Sequence, residues 1–200
     1  DPSKFPTDRK QKICRELGLA EDKSVVLFVG SFVERKGISE LIELLPRLDL
    51  PNAEFVFVGH GGDMKQELRE AISRSGFSTE YLFTGISSEM LRQWFVAADL
   101  LLLPSHAEGR PTVIYEAMAS ETAVLASDVG GVSEQVADSE TGVLLPAGDV
   151  DAIESTITSL VANSERLDQM GRRGHERLVE KGWTWSDHAR RIRKIHMDAI

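Results

Sequence analysis

The 200-residue chain contains one cysteine, Cys14, which excludes an internal disulfide and any multi-cysteine zinc site and fits a reducing compartment. Cys14 itself reads as a half-buried side chain on a helix. No stretch approaches the ~20 apolar residues that a membrane span requires, and no basic-then-apolar leader opens the chain. Positive charge is also short: the formal net charge is -9, so nucleic acid phosphates are not expected partners. No acidic cluster has metal-ligand spacing, and no internal repeat or low-complexity segment is visible. G-x-G-x-x-G is missing after the first apolar run, which disfavours a nicotinamide-binding domain. These absences leave a soluble, cytoplasmic, acidic domain whose 42% hydrophobic content supplies an ordinary core. The opening "DPSKFP", without an initiator Met, reads as a segment of a longer chain.

Short apolar runs alternate with amphipathic stretches. "SVVLFVG", "EFVFVG", "YLFTG", "DLLLLP", "AVLAS" and "TGVLLP" read as strands of a parallel sheet covered on both faces. Between them "KGISELIELLPRL", "DMKQELREAISRSG", "SSEMLRQWFVAA" and "TVIYEAMAS" carry helical spacing, the second with Gly76 past its end. The alternation predicts an α/β fold, a three-layer doubly wound parallel sheet of about six strands. We expect one domain over 1–200: a lead-in helix and linker over 1–22, a Rossmann-like core over 23–182, and a C-terminal helix over 183–200 pinned by Trp183 and Trp185.

Ligands of such sheets bind at the strand carboxyl ends, so chemistry is sought in the loops there. The first strand delivers "GSFVERKG", where Gly30 allows close approach and Arg35 and Lys36 precede a helix start suited to an anion. The second delivers "GHGGD", with Gly59 in a glycine cluster. The fourth delivers "SHAEGRPTVIYEAMA", with two carboxylates, Glu108 and Glu116. On one continuous helix they would stand about 80° apart. Gly109 breaks regularity and Pro111 belongs at the first helical position, so Glu108 is placed on the loop and Glu116 one turn into the helix, where a first-turn acid also suits the helix dipole. N–H groups around Gly109, Thr112 and Val113 are then free to cradle a phosphate. The fifth strand delivers "SDVGGVSE", in which Glu134 either caps a helix start or faces a ligand.

Taken in order, "VGSFVERKG", "FVFVGHGG", "LFTGISSEMLRQWFVAADLLLLPSHAEGRPTVIYEAMA", "DVGGVSE", "TGVLLPAGD" and "GWTWSDHARRI" resemble the donor-binding, C-terminal half of GT-B glycosyltransferases, specifically the retaining family called glycosyl transferase group 1 or family four. Glu108 and Glu116 correspond to its E-x7-E pair. The resemblance implies a metal-independent hexosyltransferase of carbohydrate biosynthesis that uses a nucleotide-diphosphate sugar and no cofactor. It also implies an N-terminal acceptor domain, absent from this chain, through which peripheral membrane association would arise.

By the same resemblance Lys36 would hold the diphosphate with the N–H groups of the Gly109, Arg110, Pro111 and Thr112 turn. Glu116 would bind the ribose hydroxyls, and Glu108, the catalytic candidate, would face the transferred sugar and its forming cation. Ile86 would offer backbone groups to the base, while Gly30 and Gly131 would let the ligand approach. Ser31 departs from the pattern where the family has Arg, with Arg35 as a partial substitute; Glu121 and Ala123 stand where Gly and Pro are usual. The isolated half is expected to bind donor and transfer poorly. Alternatives are a non-catalytic nucleotide-binding or regulatory module and a sugar-nucleotide epimerase on the same fold.

Overall fold

The computed structural model describes residues 10–20, 22–59, 61–184, 186–187 and 190. The expected last helix over 183–200 falls largely outside the described residues, as does Trp185. The helices are α1 (Lys10–Glu16), α2 (Ile38–Leu44), α3 (Lys65–Ser75), α4 (Ser88–Ala97), α5 (Thr112–Ala119), α6 (Val132–Gln135), α7 (Val150–Val161) and α8 (Ser164–Glu180). The strands are β1 (Ser24–Val29), β2 (Ala53–Gly59), β3 (Leu82–Thr84), β4 (Leu100–Leu103), β5 (Ala123–Ser127) and β6 (Gly142–Leu145). All pairings are parallel, in the order β3-β2-β1-β4-β5-β6.

Why these runs are strands is visible in how they are buried. Successive side chains of a strand point to opposite faces, so a run apolar at every position must be covered twice. Val26, Phe28, Phe55, Phe57, Leu100 and Leu102 enter one core, which receives α2, α3 and α7. Val25, Leu27, Val56, Val58, Leu101 and Leu103 enter the other, which receives α1, α4, α5 and the end of α8. Aromatic rings fill the first core, Phe55 against Phe77 at 4.6 Å and Phe28 stacked on Phe32 at 6.2 Å. Trp94, 2% exposed, fills the second, beside Tyr81 and Phe83.

Capping follows the sequence in places and departs in others. Ser87 and Asp149 cap α4 and α7 through their side chains, and Gly76 ends α3 at φ 84°. Pro111 occupies the position before α5 instead of its first turn, because its ψ of 124° is extended and the helix begins at Thr112. Glu116 therefore lies beyond the first turn, too far along for the helix dipole to explain it. α6 has no side-chain cap, and Glu134 is instead an exposed carboxylate 3.8 Å from Arg110.

Candidate functional site

The sheet has one reversal. From β1 the chain steps outward through β2 and β3, then returns to β4 on β1's other side. The helices after β1 and β4 consequently pack on opposite faces of the sheet, α2 on one core and α5 on the other, leaving a crevice at the strand carboxyl ends. A cavity of about 300 Å³ opens there. A hollow of about 350 Å³ on the flank, lined by Ser139, Glu140 and polar residues of α8, is larger but lies away from those ends. Volume therefore does not select the site; topology and lining chemistry do.

Gly37, at φ 75°, ends the helical turn Glu34–Lys36, and a Cβ there would stand 2.0 Å from the Pro104 carbonyl oxygen. This glycine lets the β1 and β4 loops touch. Across that contact Lys36 Nζ meets Glu108 Oε1 at 2.6 Å, with side chains 16% and 6% exposed. Ser105 Oγ, fully buried, donates to the same oxygen at 2.7 Å. Glu108 Oε2 accepts from no described residue, and both Lys36 and Glu108 line the crevice. A lysine and a carboxylate removed from water in this way contribute little to stability beyond their desolvation cost, but they concentrate charge where a ligand arrives.

Thr112 and Val113 also line the crevice, and as the first residues of α5 their N–H groups have no partner one turn back. α5 is held from behind: buried Gln135 donates from Nε2 to the Pro111 carbonyl at 3.2 Å, and Gly131 N–H donates to the Gly109 carbonyl at 2.8 Å. A Cβ on Gly130 would lie 1.7 Å from the Glu108 carbonyl oxygen, and one on Gly131 would lie 2.5 Å from that of Gly109. The close approach at Gly131 is thus by the neighbouring loop's backbone, not by open crevice.

Of the residues singled out in the sequence, the crevice gathers Gly30, Ser31, Lys36, Gly59, Ile86 and Glu108, together with Pro111 and Thr112. Arg35, Gly109, Arg110, Glu116 and Gly131 do not line it. Arg35 donates from Nη1 to the Ala107 carbonyl at 2.9 Å, on the seam between the two loops. Arg110 lies over the Trp183 ring at 5.7 Å, opposite Arg177 at 5.4 Å, which ties the turn to the segment after α8. Glu116 is half-buried on α5, and burial raises its carboxyl above the usual value, a shift that Arg92 partly opposes. Its carboxylate makes no hydrogen bond or ion pair with another described residue, while its backbone carbonyl accepts from Ser120 Oγ at 2.9 Å.

Sequence reasoning missed Ser105 and Gln135, whose only signal is a polar side chain inside an apolar run or a four-residue helix. It also missed the apolar lining, Val29, Val58 and Leu91, which looks like ordinary core until the strand ends are placed. Among the described residues, no group of three or more potential ligands could hold a metal ion, and no helix is long and apolar enough to cross a membrane.

Fold and site together define a Rossmann-like α/β domain with an anion-suited crevice at its switch point, the architecture of one half of a GT-B glycosyltransferase. The family model "Glycosyl transferases group 1" matches residues 9–177, and the chain belongs to that family. It is 32% identical over 199 residues to the alpha-maltose-1-phosphate synthase of Mycolicibacterium smegmatis, covering 93% of this chain and 51% of the relative. It is 31% identical to the GDP-mannose-dependent alpha-(1-6)-phosphatidylinositol monomannoside mannosyltransferase of the same organism, covering 94% and 51%. Among solved structures, the C-terminal domain of a glycosyl transferase group 1 family protein (LpcC) from Francisella tularensis superimposes with a TM-score of 0.80 at 25% identity, over 90% of this chain and 97% of that one. The chain thus corresponds to a C-terminal domain of such enzymes and spans about half the length of the curated relatives it matches.

Proposed function

We propose that this chain is the donor-binding half of a retaining, metal-independent glycosyltransferase that moves a hexose from a nucleotide-diphosphate sugar to an acceptor held by a further, N-terminal domain. The observation that carries the reading is the Lys36–Glu108 pair inside the switch-point crevice, beside the free N–H groups that open α5. Glycosyl transfer needs negative charge stabilised on a departing diphosphate and positive charge tolerated on the sugar next to it. Lys36 with the Thr112 and Val113 N–H groups meets the first need, and Glu108 Oε2 the second. The GDP-mannose dependence in the name of one relative supports a nucleotide-diphosphate donor.

The side chains of Ile86 and Leu91, which both line the crevice, suit a base, read by backbone groups near Gly85 and Ile86. The Glu116 carboxylate, partly desolvated and without a hydrogen bond or ion pair among the described residues, suits a pair of ribose hydroxyls, since ionised oxygens accept strong hydrogen bonds. Glu108 already shares Oε1 with Lys36 and Ser105, which weakens it as a nucleophile and favours direct front-face displacement over a covalent glycosyl intermediate.

The experiment is a thermal-shift series with UDP-glucose, GDP-mannose and ADP-glucose, in wild-type and Lys36→Met protein. One sugar nucleotide is expected to raise the wild-type Tm and not that of the variant. Equal shifts in both proteins would sink the assignment. A second reading, a module that binds donor without transferring it, draws on Ser31, which leaves Lys36 as the one cation lining the crevice among the described residues. Transfer or slow hydrolysis of the donor by the full-length protein would exclude it.

A further inference from the structure

We propose that Glu40 and His106 form a positioning pair that fixes where Glu108 stands against the transferred sugar, a role that rests on the donor-site reading above. Neither residue lines the crevice. Glu40 is the third residue of α2, one helical turn before Leu44 and on the same inward face. Its side chain is 10% exposed, and His106 Nε2 meets its Oε1 at 2.9 Å. Its Oε2 is buried without a hydrogen-bond partner among the described residues. A carboxylate kept nine-tenths out of water with one oxygen unmatched lowers stability, so packing does not account for it.

What the pair does account for is the seam between two loops. His106 N–H donates to the Arg35 carbonyl at 2.9 Å, and Arg35 Nη1 donates to the Ala107 carbonyl at 2.9 Å. Lys36 meets Glu108 two residues further on. Residues 106–108 are therefore joined to Arg35, Lys36 and Glu40 by four contacts, and the His106–Glu40 contact is the one anchored in α2. A third loop closes the seam from outside: a Cβ on Gly148, after β6, would stand 3.8 Å from both Glu40 Oε1 and His106 Cε1. His106, whose side chain stays 37% exposed, is held through its backbone N–H and its ring nitrogen, and with it the backbone that leads into Glu108. Misplacing a reacting group by about 1 Å can cost on the order of 100-fold in rate, so loosening this anchor bears on kcat before it bears on nucleotide affinity.

The test uses full-length protein carrying Glu40→Leu, His106→Ala or His106→Gln. Affinity is measured for UDP, GDP and ADP, and kcat and KM for nucleoside diphosphate release from whichever of UDP-glucose, GDP-mannose and ADP-glucose most stabilises the wild type. His106→Ala is expected to lower kcat by about 10- to 100-fold with nucleoside diphosphate affinity within about 2-fold. His106→Gln, whose amide restores an N–H near Glu40, is expected to recover most of the rate. Glu40→Leu is expected to lower kcat while holding or raising Tm, because an apolar side chain replaces a half-satisfied buried carboxylate. Affinity intact and kcat within 2-fold of wild type in all three variants overturns the positioning role alone. Rate lost only in step with Tm overturns it as well. A wild-type protein that binds none of the three nucleoside diphosphates overturns the donor-site reading, and the positioning role with it.

Discussion

Two lysine–carboxylate pairs of equal length, 2.6 Å, stand at opposite ends of the sheet. At the amino ends of the strands Lys10 meets Asp99 Oδ1, while Asp99 Oδ2 accepts from the Val25 N–H at 2.8 Å and Lys10 also donates to the Ala98 carbonyl. Both oxygens of that carboxylate are used to fasten α1 to the start of β1 and β4, and the lysine side chain is 36% exposed. At the carboxyl ends Lys36 and Glu108 are far more buried, yet Glu108 keeps one oxygen without a described partner and both residues face the crevice. Distance does not separate a brace from a binding group here. Burial, leftover hydrogen-bonding capacity and a place in the switch-point crevice do.

The contrast breaks most visibly under substitution. Glu108→Gln is expected to lower kcat of the full-length protein by about 10²- to 10³-fold, the scale of losing a preorganised electrostatic group, with nucleoside diphosphate affinity nearly unchanged in a titration. Lys36→Met should weaken nucleoside diphosphate binding by about 10- to 100-fold, equivalent to one charge-assisted hydrogen bond of about 1.5–3 kcal/mol, and should also lower Tm because Glu108 is left buried without its cation.

Glu116→Gln should weaken the same binding by a smaller factor, about 5-fold, and change the pH dependence of stability in a defined direction. A carboxyl whose folded value lies above its unfolded one binds its proton more tightly in the fold, so it supports the fold at low pH and withdraws that support as pH rises through the raised value. Burial raises Glu116 in this way from its usual 4.5. The variant should therefore melt higher than wild type at neutral pH, with the gap closing as pH falls toward the usual value; a gap that widens on acidification would contradict the assignment. Lys10→Met has the smallest effect. A half-exposed pair contributes about 0–1 kcal/mol, so Tm should fall by no more than about 2–4 °C with no change in nucleotide affinity.

Much of the fold was legible in the sequence because the strands carry consecutive apolar residues and each covering helix carries a one-sided stripe; "LLLL" before Pro104 has no other home than a sheet covered on both faces. Lys36 and Glu108 were legible as crevice residues because each stands in the connection between a strand end and a helix start. What stayed hidden depends on pairing across the chain. Gly130 and Gly131 look alike whether a ligand or a loop approaches them, and only the placement of the β4 loop against β5 shows that the loop does. Arg35 reads as a free cation until its guanidinium is found on the Ala107 carbonyl, and Glu40 reads as a solvent-facing charge in the first turn of α2 until His106 meets it from 66 residues on. Local pattern carries burial well, but it does not carry which polar groups meet across the switch point.

The central claim is that the diphosphate of the donor lies between Lys36 and the start of α5. Amide perturbation of the ¹⁵N-labelled protein on titration with UDP, GDP and ADP tests it most directly. The account predicts that the binding nucleotide shifts the amides of Gly30, Ser31, Thr112 and Val113 together, and that Lys36→Met abolishes those shifts while Lys10→Met leaves them intact. Shifts gathered instead around the cleft lined by Lys23, Leu48 and Phe77 at the amino ends of the strands, or in the flank hollow beside α8, would contradict it.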